Sequence, residues 1–64
     1  MNKWLSVGDL IKVNQSIPEY VDVRGETTGV IVGETQGTRK PRCFEILWSD
    51  SEFESLYEDE IEHA

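Results

Sequence analysis

"WSDSEFESLYEDEIEHA", Trp48 to Ala64, holds seven carboxylates and neither a Lys nor an Arg. Whether it forms a helix, a strand followed by a turn, or a tail decides the fold. Read as a helix, Phe53, Leu56, Tyr57 and Ile61 fall at i, i+3, i+4 and i+8, an amphipathic stripe. Ser55 followed by Glu58 fits a capping box. The charges oppose that reading. Glu54–Glu58 and Glu58–Glu62 are like-charged i,i+4 pairs that cost about 0.2–0.5 kcal/mol each. Acids near the C-terminal end also face the negative end of the helix dipole, with only His63 to offset them. Read as a strand, Phe53, Ser55 and Tyr57 alternate with Glu52, Glu54 and Leu56. Glu58-Asp59-Glu60 then makes a single helical turn that sets Ile61 on the core. The costs are small, so the residues alone leave both readings open.

Working outward, "RCFEILWSD" (Arg42–Asp50) reads as a strand with Phe44, Ile46 and Trp48 on one face and Cys43, Glu45 and Leu47 on the other. "GVIVGE" (Gly29–Glu34) is a β-branched run. The turn "TQGTRKP" (Thr35–Pro41) joins the two as a hairpin, since Gly37 permits positive φ and Pro41 cannot donate to a ladder. "VGDLIKV" (Val7–Val13) opens on a Gly-Asp turn pair. It continues as a strand with Ile11 and Val13 on one face and Leu10 and Lys12 on the other. Between them, Asn14 to Thr28 carries Pro18 and Gly25 without clean periodicity. That segment reads as a long loop, with a short strand around Tyr20 to Val23; loops of that length are often functional.

Sixty-four residues make one domain, residues 1–64, with its core between about 7 and 62. So short a chain buries only about 60% of the surface its unfolded form exposes. Its single cysteine, Cys43, forms no internal disulfide, and Cys43 with His63 would be two ligands short of a zinc site. The fold therefore rests on its apolar core, aided by any partner. No stretch approaches a signal peptide or a membrane span, and the lone thiol points to a reducing cytoplasm.

Thirteen acids against six bases give a net charge of −7. Phosphate-dominated nucleic-acid binding uses about 6–10 cationic contacts, so all six bases would have to share one face. Lys3, Lys12 and Arg24 are expected to scatter away from the Arg39, Lys40 and Arg42 tip. Nucleic acid is thus a disfavoured partner, with weak binding through the 39–42 loop as the residual route.

In order, "VGDLIKV", a long loop, "TGVIVGE", a basic turn, "RCFEILWSD" and "ESLYEDEIE" resemble the strand order of SH3-like small barrels. They resemble more closely short uncharacterised proteins of tailed bacteriophages, over about residues 7 to 62. Those proteins follow Trp-Ser-Asp with Gly; Ser51 stands there in this chain, a departure that argues against a tight turn. The resemblance implies strand plus turn for the closing segment. The fold expected is an all-β, single SH3-like barrel of four or five antiparallel strands with a short helical turn near Asp59. The Ala-Leu-Tyr-Asp-Tyr-type motif of proline-rich-peptide binders is absent, so that activity is not carried over.

Candidate chemistry is sparse. His63 is next to last, and a frayed terminus would not position it beside a Ser or Cys43 for nucleophilic catalysis. Asp50, Glu52 and Glu54 occupy positions 1, 3 and 5 of a calcium loop, but Ser55 and Ile61 stand where Gly and Glu are required. On a strand the three would line one solvent face and discourage edge-to-edge aggregation. Trp48 and Phe44 read as core, whereas Trp4 and Tyr20 lie outside the clear strands and are candidate contact residues. The expected role is a non-enzymatic, phage-encoded protein-interaction module of the cytoplasm. It would need no cofactor or metal and would bind a protein partner with a basic surface. Its contact set would be Trp4, Tyr20, Arg39, Lys40, Arg42, Asp50, Glu52, Glu54, Glu58 and Asp59. The alternative is a virion or homo-oligomeric component.

Overall fold

Strand β3 (Cys43–Trp48) sets the frame, because its alternation is complete. Phe44, Ile46 and Trp48 are 0–1% exposed, while Cys43, Glu45 and Leu47 face outward. The structure is a computed structural model and describes residues 4–36 and 42–64. Around β3 lie β1 (Leu10–Val13), α1 (Pro18–Arg24), β2 (Gly29–Thr35), β4 (Phe53–Tyr57), a 3₁₀ turn (Glu58–Glu60) and β5 (Ile61–His63). The strands form one antiparallel sheet in the order β4-β3-β2-β1-β5. The domain is thus mostly antiparallel β with one short helix.

The inward residues of all five strands meet in one cluster: Ile11, Val13, Ile31, Phe44, Ile46, Trp48, Leu56 and Ile61, joined by Leu5. Burying such side chains is worth about 1.5–3 kcal/mol each. Extents of 27 × 26 × 23 Å are nearly isotropic, so the sheet coils around this cluster instead of lying flat. Two features of β2 permit the coiling. Gly29 lies beneath Trp48, where an added Cβ would sit 2.8 Å from the indole Cε3 and 2.9 Å from Ile46 Cγ2. Between Ile31 and Gly33 the register slips by one, leaving Val32 as the extra residue of a bulge, which bends and twists the strand.

The closing segment is strand, turn and strand. Leu56 fills the core from β4 and Ile61 from β5, while Tyr57 is only half-buried. The 3₁₀ turn is held by Glu60, whose carboxylate accepts the Tyr57 N–H at 2.7 Å and the Tyr20 hydroxyl.

Three expectations are corrected. The 14–28 segment is not a loop with a strand: Pro18–Arg24 is an α-helix that packs Tyr20 and Val21 on the core. Pro18 is preset for the first turn, Glu19 and Arg24 suit the two ends of the dipole, and Gly25 at φ 57° stops the helix. The tight turn after Trp48 does form, with Ser51 at φ 74° and its N–H bonded to the Trp48 carbonyl at 2.9 Å. Ser51 there takes the left-handed conformation that glycine adopts without strain. His63 is not frayed either: it pairs with Ile11 in β5, and its Nε2 lies 3.0 Å from Asp9 Oδ2.

Among the described residues no helix is long and apolar enough to cross a membrane.

Candidate functional site

The outer face of the sheet carries a feature that alternation alone does not reveal. Register places Leu10 opposite Val30, Val30 opposite Leu47, and Leu47 opposite Phe53. Directly opposed residues point to the same side of a sheet, so these four make one apolar row across four adjacent strands. At about 4.8 Å between strands, the row is some 14 Å long. Leu10 is 59% and Phe53 71% exposed; Val30 and Leu47 are half-buried. Val32, turned out by the bulge and 44% exposed, widens the row on β2. Single exposed apolar side chains are ordinary; it is large contiguous apolar patches that are uncommon on the surface of a monomer.

Two shallow grooves lie along the row. One, of about 210 Å³, is lined by Leu10, Thr28, Val30, Leu47 and Ser49. The other, of about 370 Å³, lies between Val32 and Phe53, with Glu45, Glu54 and Ser55 along it. The Glu45 carboxylate lies over Gly33 so closely that a Cβ there would meet Oε1 at 2.7 Å.

The ionic side chains are arranged differently. Arg24 stacks on Trp48, 4.7 Å from the ring centroid, and bridges Asp50 at 2.8 Å and Glu54 at 3.6 Å. The Trp48 indole N–H donates to Glu54 at 2.9 Å. Arg42 stacks on Phe44 and Trp4, pairs with Glu34 at 3.0 Å, lies 3.8 Å from Glu58 and donates to the Leu5 carbonyl. Lys12 lies 3.9 Å from Glu62. The three described cations thus occupy separate places, each beside this chain's own carboxylates. The Arg42 guanidinium holds the Glu34 carboxyl below its usual range. The Glu52 backbone N–H, and then Arg24, do the same for Asp50.

These contacts locate the residues expected from sequence. Asp50, Glu52 and Glu54 are all exposed, and the first and last of them are engaged by Arg24. Glu54 lies on the Leu56 side of β4, Asp50 in the preceding turn, and Glu52 stands exposed. Glu58 approaches Arg42, while Asp59 is exposed and its carbonyl accepts from the Asn14 side chain at 3.0 Å. Trp4 is 76% exposed, pinned from one side by Arg42. Tyr20 packs on the core and bonds Glu60 instead of presenting its ring to solvent. Arg39 and Lys40 lie outside the described residues. Among the described residues no group of three or more His, Cys, Asp or Glu side chains could hold a metal ion.

The row Leu10–Val30–Leu47–Phe53, with Val32 and Glu45, was not picked out from the sequence. Its signal was present in part, since Leu10 and Leu47 fall on the strand faces opposite the core.

No protein-family model matches this chain, and no curated protein or solved structure is significantly similar to it.

Proposed function

We propose that this chain is a non-enzymatic protein-interaction module that binds its partner through the outer face of the sheet. The observation that carries the reading is the apolar row crossing four strands with Phe53 71% exposed at its end. Among the described residues the buried cluster lies on the other face of the sheet and includes none of the row. Trp4 offers a second exposed aromatic. The strand order, with a 3₁₀ turn before the last strand, supports an SH3-like barrel as the finer description of the fold. The resemblance to short phage proteins makes a host or phage protein of the cytoplasm the partner to look for. The acids act as an outer field that favours a basic partner and speeds its encounter.

The test is affinity capture from bacterial lysate with the wild-type chain and with a Leu10→Ser/Phe53→Ser variant, at low and high salt. The reading expects a protein retained by the wild type and lost from the variant. Equal recovery on both baits would overturn it. Sedimentation of the chain alone separates the competing role: a dimer that the same variant dissolves would assign the row to a second copy.

A further inference from the structure

The two grooves along the apolar row differ in chemistry, and the difference bears on what the partner brings. The groove toward Leu10 is almost wholly apolar. The groove between Val32 and Phe53 is lined as well by two acids, Glu45 and Glu54, of which Glu54 already faces Arg24. Among the described residues Glu45 has no cationic partner, whereas Lys12, Arg24 and Arg42 each lie against acids of the chain. A carboxylate next to exposed apolar side chains matches a side chain with an aliphatic stem and a cationic head. The aromatic face of Phe53 adds an attraction for the same head.

We propose that this groove receives a Lys or Arg side chain from an extended partner segment, whose apolar residues lie on Leu10, Val30 and Leu47. The stem runs between Val32 and Phe53, and the head reaches Glu45. The proposal rests on the outer face being the binding surface and adds the partner's chemistry to it. A second copy of this chain is a poor occupant: it brings another −7 of charge and the same Glu45. Alternate residues of an extended segment point to one side. The basic residue should therefore stand two or four positions from an apolar one. Gly33 is a positioning residue, since its missing Cβ lets the carboxylate lie down on β2.

The probe is a random dodecapeptide display library selected on the immobilised full chain. Enriched sequences are expected to pair an apolar residue with a Lys or Arg at that spacing. Binding of a selected peptide should fall about tenfold on Phe53→Ser, as for an aromatic anchor. It should fall about threefold on Glu45→Gln, as for an exposed ion pair. Restoring an acid by Glu45→Asp should recover part of the loss. Enrichment of apolar peptides without a basic residue, lost on Phe53→Ser and unchanged on Glu45→Gln, would overturn the cationic groove while leaving the outer-face reading standing. Selected peptides that bind the Leu10→Ser/Phe53→Ser variant undiminished, or no enrichment at all, would overturn both.

Discussion

Leu56 and Phe53 stand three residues apart in β4, both apolar, one 6% and the other 71% exposed. They represent the two faces of one sheet. The inner face is filled by branched and aromatic side chains gathered with Trp48, while the outer face carries a row of similar residues over which none of the described elements forms a second layer. Hydrophobicity alone therefore does not assign a residue to the core. Its parity in the strand does, and the Val32 bulge changes that parity midway along β2. The acids show the same division: Asp50, Glu54, Glu34 and Glu58 lie against this chain's own arginines, and among the described residues Glu45 meets no cation.

Breaking the inner face should have the largest effect. Phe44→Ala is expected to cost about 3–5 kcal/mol and to leave so short a chain largely unfolded by circular dichroism. Truncation before Glu58 removes Ile61 and β5 and should act alike. Gly29→Ala comes next, since a methyl group would press on Trp48 and Ile46. Overpacking of that kind costs about 1–3 kcal/mol, read as a lower urea midpoint with the slope unchanged.

The turn between the faces should respond with the opposite sign. Ser51→Gly relieves a left-handed conformation and should add about 1 kcal/mol. The melting temperature should rise by some 4–8 °C. The smallest effect concerns Glu34. Its pKa is lowered in the folded chain, chiefly by its hydrogen bond to Arg42. The contribution is present above the unfolded pKa and is lost as pH falls through the lower folded one. The gap in melting temperature between wild type and Glu34→Gln should therefore persist at neutral pH and close only below the usual carboxylate range.

Much of the inner face was legible in the sequence. Ile11, Val13, Phe44, Ile46 and Trp48 followed from period-two alternation, and Ile61 from placing a single turn at 58–60. Helix α1 was missed because seven residues with β-branched Val21 and Val23 show no helical periodicity, although Pro18 and Gly25 mark its ends. Ser51 misled because a turn that favours glycine can hold serine at a small cost. The outer row was illegible for a different reason. Whether Leu10, Val30, Leu47 and Phe53 are neighbours depends on register between strands up to twenty residues apart, and no single stretch encodes it. Tyr20 looked available because its hydroxyl partner, Glu60, lies forty positions away.

The central claim is that one face of the sheet makes the fold and the other binds a partner. Melting the wild type and the Leu10→Ser/Phe53→Ser variant, each with and without a peptide selected on the wild type, tests it most directly. The account predicts that the two unliganded proteins melt within about 4 °C of each other, as exposed substitutions should. With peptide at about a hundred times its Kd, the wild type should gain roughly 2.7 kcal/mol of stability and the variant far less. An unliganded variant that melts more than about 8 °C lower would place the row in the core. A variant that gains as much as the wild type would place binding elsewhere on the molecule.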